Sequence, residues 1–566
     1  MTKISSDIII VGAGPVGMIL ALDLARRGVD VVVVEQHGEE AEPRKRCNHI
    51  SARSLEILRQ LGIASEIRDA GLPADYPQDV AYLTALNGYE LSRIRIPARQ
   101  DVYGSEGYDD SGWPTPEPPH RCNQLYWEPI LQRHLLASPR IRTFYAVAID
   151  EVAQDADRAT ARGRNESGEE MTFEARYLVG CDGGSSLVRK TIGARFEGQE
   201  VVSGTRTVYI KSDDLLGKLR NTPAWMTWFL NPTVLGCVVA MNGKDLWGFH
   251  FWLPAGEPDF DSIDPAEGIR EGVGEDLDYE IVSTDDWYGR RLVADRFHDR
   301  RIFICGDAAH IWIPLAGYGM NAGIADAATL SWQLSAVIRG WAEPSILTAY
   351  EAERQPVTRQ VSQHVMSLAL ANLDTERTKN PPPELFIEGP EGEAARAEMG
   401  RFFYDANVGQ FACKGLNFGT YYDGSPIIAY DGEEAPEYGL SIYTPTTVPG
   451  CRTPHVWLDN GTSLYDALGL GYTLLRSDPA LDVSELQAAA ERRGFPLDLL
   501  DLSPSEAGDI YRHKLVVSRP DQHVAWRGDA VPADPIALVD LLRGATPGAE
   551  SSAKSGNQPA LGSVGT

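Results

Sequence analysis

Nowhere in this 566-residue chain do eighteen apolar residues follow one another, so no segment is long enough to cross a bilayer as a helix. Basic residues are scarce: 52 Lys and Arg stand against 80 Asp and Glu, a net charge of −28. That balance repels nucleic-acid backbones and anionic lipid and excludes both as partners; its ordinary use is solubility. Cysteine is sparse too. Cys47, Cys122, Cys181, Cys237, Cys305, Cys413 and Cys451 contain no C-x-x-C pair and no metal-ligand spacing, so no metal site is expected and a reduced, cytoplasmic setting is. The first residues lack the pattern of a secretory leader, so none is expected, and internal repeats are absent.

Three short segments carry the chemistry. The first lies between an apolar strand, Asp7 to Val11, and a helical pattern, Pro15 to Arg27, that Gly28 stops. Its Gly12, Gly14 and Gly17 suit a tight turn, close approach of a pyrophosphate and helix–strand packing, with the helix N-terminus and Pro15 facing the phosphates. A second strand, Val31 to Val34, ends in Glu35-Gln36, where the Glu35 carboxylate can accept from an adenosine ribose. This unit does not separate FAD from NAD, which share the ADP half. The second segment, Cys181-Asp182-Gly183, follows the strand Tyr177 to Cys181. The third follows the strand Ile302 to Cys305: Gly306-Asp307, then Pro314, Gly317, Gly319, Met320 and Asn321 opening another helix. A helix start there would meet the N1–C2=O edge of a flavin.

Elsewhere Arg53 to Leu61 reads as a helix, and residues 76–119 as sheet edge plus a long loop rather than core. Between residues 200 and 288 the period is two, which indicates an antiparallel sheet with both faces packed. Gly323 to Arg339 reads as a helix capped by Gly340, and residues 544–566, poor in large apolar side chains, as a disordered tail.

With these residues in place, the chain resembles the group A flavoprotein aromatic hydroxylases of the para-hydroxybenzoate hydroxylase fold, over about residues 5–365. The glycine turn, Asp182-Gly183, Gly306-Asp307, the loop His310 to Asn321, and Tyr350, Glu353, Arg354 and Pro356 carry the resemblance. Ile313 and Ala316 depart from it, standing where many members have Pro and Gly. Gly450 to Leu458, Ser463 to Asp466 and Ser518 to Arg527 resemble the extra domain of the phenol-hydroxylase-like branch, thioredoxin-like in fold. Without C-x-x-C, that domain is expected to pack or to support a homodimer, not to do redox chemistry.

The resemblance implies an α/β architecture: a Rossmann-like FAD-binding domain (1–75, 111–199, 289–380) and an interleaved substrate-binding sheet domain (76–110, 200–288). A connector (381–440) and a C-terminal thioredoxin-like α/β domain (441–543) follow. It also implies a monooxygenase that uses bound FAD, transient NADPH or NADH, and O2 to hydroxylate a phenolic or polycyclic aromatic small molecule through a flavin C4a-hydroperoxide. By position it places Arg46 beside the flavin and Gln124 on the cofactor, and makes Arg46, Asn48 and Pro314 the catalytic candidates. His49 and His250 are possible proton partners, and His310 a local hydrogen-bonding histidine. Trp225, Trp228, Trp247, Phe249, His250 and Trp252 are candidate walls of a pocket between the two domains. Three rivals remain: Baeyer-Villiger oxygenation on the same fold, a flavin-containing binder without turnover, and a plain NAD dehydrogenase.

Overall fold

The strands Ile8–Val11, Val31–Val34 and Tyr177–Gly180 are buried at every position, the pattern of a parallel sheet covered on both faces. A computed structural model describes residues 2–104, 106–253, 259–313, 317–373 and 376–545, and places these strands side by side. The sheet has six strands, in the order His298–Asp299, Ile302–Ile304, Tyr177–Gly180, Ile8–Val11, Val31–Val34, Ile141–Phe144. All but the first run parallel. In register, Val11 pairs with Gly180, and Gly180 with Ile304. Three motifs scattered over three hundred residues therefore emerge at neighbouring carboxyl ends, where such sheets hold ligands. The helix Pro15–Arg26 starts on proline and packs against the long helix Gly319–Ile338, which begins four residues before the expected Gly323.

A second sheet was not foreseen. Thr2–Ser5, which precedes the strand at Ile8, pairs parallel with Glu170–Ala175; Ala159–Asn165 and Val147–Gln154 complete four strands.

The period-two region forms an eight-stranded sheet ordered His310–Ile311, Glu280–Ala294, Phe196–Lys211, Leu246–Leu253, Leu235–Ala240, Met226–Leu230, Val80–Leu83, Glu90–Ile94. Most pairs are antiparallel, as expected, but Val80–Leu83 runs parallel to Met226–Leu230. Residues 76–119 therefore correct the sequence reading. Val80–Leu83 is interior and wholly buried, only Glu90–Ile94 lies at the edge, and Ile94, Ile96, Glu117 and Arg121 are buried as well. The polar and glycine content that suggested a loop belongs to turns between short buried pieces. The two longest strands, Phe196–Lys211 and Glu280–Ala294, run through positions 199 and 289, so this sheet continues without a break towards the first.

The helix Pro390–Phe411 lies along the outer edge strand, with Tyr82 and Phe403 stacked 4.9 Å apart. In the C-terminal region Tyr472–Arg476 pairs parallel with Leu497–Asp501 across the helix Ser484–Arg493. Leu515–Ser518 and Val524–Gly528 add antiparallel strands and Pro535–Leu542 a closing helix. Its core is continuous with that of the first sheet, Trp332 meeting Tyr472 edge-on at 5.9 Å. Buried ions tie it down: Arg519 pairs with Glu353 (2.5 Å) and with its own Asp521 (2.7 Å), and Arg452 with Glu56. Beyond residue 545 the tail expected to be disordered lies outside the described residues.

Candidate active site

Gly12 has φ +105°, a left-handed conformation, and a Cβ there would strike the Cys181 carbonyl; at Gly17 it would strike the Gly12 carbonyl. Glycine at these two positions lets the first turn lie against the second motif. Glu35 locks the arrangement, its carboxylate accepting from the N–H of Ala13 (2.8 Å) and of His37 (2.9 Å). No side chain caps the helix Pro15–Arg26 and no acid sits in its first turn. Its free N–H groups and positive dipole end are left to a ligand.

The sequence-derived cofactor residues converge. Gly12, Gly14, Pro15, Gly17, Glu35 and Gln36 line one cavity of about 730 Å³. Arg46, Asn48, Gln124, Asp182 and Asp307 line the same cavity, as do Gly317, Gly319 and Met320. Asp182 also closes its own turn, accepting from Ser186 Oγ (2.6 Å) and the Val188 N–H (3.1 Å). Gln124 donates to Glu128 at 2.6 Å. Asn48 Oδ1 accepts from Asn123 at 2.5 Å. Asp307 is open to the cleft yet lies deep in the molecule. That enclosure raises its carboxyl above the ordinary value, against the opposite pull of His310, Arg44 and Arg46.

One expectation needs correction. Asn321 does not reach the cavity: it is buried behind the wall, accepting from the Ser51 N–H and Ser54 Oγ and donating to the His49 and Gly317 carbonyls. Its side chain fastens the loop to the segment His49–Ser54. Pro314 and Ala316 lie outside the described residues. His310 takes the local role expected, 2.6 Å from Asp326, which also binds Arg354.

Behind the cofactor end the cavity continues as a chamber over one face of the eight-stranded sheet. Strand register makes this face a set of rows. Trp228, Cys237, His250, Thr207 and Asp285 align across five strands, and Met226, Val239, Gly248 and Tyr209 form the next row. Trp252, Thr205 and Trp287 form a third. All but Gly248 line the cavity, together with Trp225, Trp312, Gln410 and Phe411. Of the candidate walls, Trp228, His250 and Trp252 are on this face, and Trp225, just before its strand, also lines the cavity. Trp247 and Phe249 are not: strand alternation turns them to the other side, where Phe249 packs with Phe229 and Phe251. Alternation identified two faces in the sequence; which one met the cofactor depended on how the sheet docks. Thr205, Thr207, Tyr209, Cys237 and Trp287 were missed for the same reason.

Burial acts on the histidines of the cavity. His250 is brought down to about 4 by desolvation, and His49, at the cavity wall, is also well below its ordinary value through burial and the positive charge of Arg121. Cys47 is pushed up to about 11, so no reactive thiolate is present there. Among the described residues, Thr205 Oγ1, Trp228 Nε1 and Trp312 Nε1 are buried without a hydrogen-bond partner. Polar groups left this way are where an oxygenated guest would be met. The uncapped helix end, the acidic pair Glu35 and Asp307, and a tryptophan-lined chamber in the same cavity fit a flavin dinucleotide with an aromatic ring before it.

Comparison with known proteins gives the same picture. A model described as an FAD binding domain matches residues 5–365, and one described as aromatic-ring hydroxylase, C-terminal, matches 446–545. The FAD-dependent monooxygenase opdD of Penicillium oxalicum is 31% identical over 522 residues, 87% of this chain and 98% of its own. The 2,4-dichlorophenol 6-monooxygenase of Delftia acidovorans is 28% identical, covering 93% of this chain and 95% of its own. The structure of the rebeccamycin biosynthetic enzyme RebC with reduced flavin superposes with a TM-score of 0.86 at 34% identity, covering 96% of this chain and all of that one.

Proposed function

This chain belongs to the FAD-dependent aromatic-ring hydroxylases, and from that premise we propose how its residues divide the work. It is an FAD-dependent monooxygenase that uses NAD(P)H and O2 to hydroxylate an aromatic compound. When bound, FAD supplies hydride acceptance and oxygen activation.

In our reading, the free N–H groups of Val16 and Gly17 hold the pyrophosphate and Glu35 the adenosine ribose. Asp307 and Arg46 face the ribityl and ring portion, and Gly317, Gly319 and Met320 bring the start of the long helix to the ring edge. Trp225, Trp228, Trp252 and Trp287 exclude water and stack a planar substrate. Arg121 holds Trp225 in place, its guanidinium 5.1 Å from the ring and paired with Asp110. We keep the division into an FAD-binding part, a substrate sheet and a connector; the separate apolar clusters of the parallel and the eight-stranded sheet support the first two. The C-terminal unit is assigned a thioredoxin-like fold from its βαβ–ββα order, and a packing rather than redox role.

One observation carries the reading: the glycine turn and the aromatic chamber open into a single cavity. The test is direct. Purified protein should be yellow and should oxidise NADPH in air faster when given a phenol or a polycyclic phenol, with product heavier by one oxygen. Colourless protein, or yellow protein that no phenol or ketone stimulates, would overturn it. Insertion beside a ketone would retain the flavin assignment and replace the reaction.

A further inference from the structure

One side-chain chain in the chamber has its protons fixed by its neighbours. The indole N–H of Trp287 donates to Thr207 Oγ1 at 3.0 Å, and Thr207 Oγ1 lies 2.9 Å from His250 Nδ1. An indole nitrogen only donates, so it takes a lone pair of the hydroxyl. Thr207 is 1% exposed and, among the described residues, its hydroxyl has no other hydrogen-bond partner, so the hydroxyl hydrogen is satisfied only by donating to Nδ1. The imidazole proton then resides on Nε2. Strand register puts His250 between Thr207 and Cys237 on the chamber face. His250 lines the cavity and is only half-buried, so part of its ring faces the space a guest would fill.

We infer that Trp287 and Thr207 hold His250 as an Nε2–H donor, and that it grips an acceptor oxygen, ketone or quinone in type, on the planar aromatic substrate. This deepens the hydroxylase reading and rests on it. Burial keeps the imidazole neutral at physiological pH, so the donor is an uncharged N–H suited to a carbonyl. Trp228, Trp252 and Trp287 stand around His250 on this face and supply the stacking surface beside it. Rings without an oxygen should lose that anchor while keeping the stacking.

The test needs no turnover. In flavin-loaded protein with 15N-labelled histidine, the His250 resonance, assigned by its loss in His250→Gln, should show protonation at Nε2; Thr207→Val should mix the tautomers. Fluorenone and fluorene share a planar three-ring shape and differ by one carbonyl. Wild type should bind fluorenone about three- to tenfold more tightly, the effect of one net hydrogen bond. His250→Phe should bring the ratio close to one, and His250→Gln, which retains an N–H, should restore part of it. A merely structural histidine would weaken both ligands alike and leave the ratio intact. An Nδ1–H tautomer in wild type, no fluorenone preference in wild type, or a preference that survives in His250→Phe would overturn the inference. Failure of the hydroxylase reading shows separately, as missing flavin or missing NADPH oxidation.

Discussion

The cofactor end of the cleft and the chamber behind it share one cavity but are built from different parts. Backbone shapes the first: a positive-φ glycine, two carbonyls too close for a side chain, and an uncapped helix end. Side chains from one face of five strands shape the second. A backbone site tolerates almost no change at its glycines, whereas a side-chain wall can be recut without disturbing what holds the sheet together. A common scaffold can therefore hold one cofactor while its chamber varies.

The sharpest way to break this contrast is Gly12→Ala. The strained φ alone costs about 1–3 kcal/mol, and the collision with the Cys181 carbonyl adds to it. Because the collision displaces the turn that presents the helix end, the purified variant should lose its flavin absorbance at any practical FAD concentration. Full occupancy in that variant would mean the turn does not approach the second motif as closely as described.

A second comparison sets the two faces of one strand system against each other. Phe249 is wholly buried, with Phe229 at 6.3 Å and Phe251 at 6.2 Å. Phe249→Ala should cost about 3–5 kcal/mol in chemical denaturation, by loss of contacts and the cavity left behind. Trp228 faces space that is already open, so Trp228→Ala creates no closed cavity and should cost well under half as much. Its mark should instead be weaker binding of planar aromatics, by about three- to tenfold, from lost stacking. Equal destabilisation by the two substitutions would remove the distinction between the faces.

The same distinction explains what the sequence made legible. Gly12, Glu35, Asp182 and Asp307 could be read because each follows a short apolar strand, and strand plus turn residue determines local geometry. Their convergence follows once the strands are parallel neighbours. Trp247 and Phe249 were misread because alternation states that two faces exist without saying which one meets another domain. Val80–Leu83 was misread because its flanks are polar and rich in turn residues, and its burial comes from the distant strand Met226–Leu230. Asn321 shows a third limit: a residue in the right loop can be fully engaged by neighbours such as Ser51 and Ser54, whose proximity no local pattern encodes.

The smallest expected effect concerns acid. Burial brings His250 to about 4, below the ordinary 6.5. Between these values the unfolded chain binds a proton that the folded chain refuses, so stability falls as pH drops from 6.5 towards 4. His120, His455 and His523 are depressed for the same main reason and steepen the overall fall, so the contribution of His250 must be read by difference. In His250→Gln that one proton is gone from both states. Relative to this variant, wild type should lose about 2 kcal/mol between pH 7 and pH 5, measured by urea unfolding at both values. The Phe249→Ala variant keeps the imidazole and should show the wild-type slope, which separates a chamber group that titrates from a core group that only packs. A difference between wild type and His250→Gln that does not change with pH would place the imidazole in contact with water rather than shielded from it.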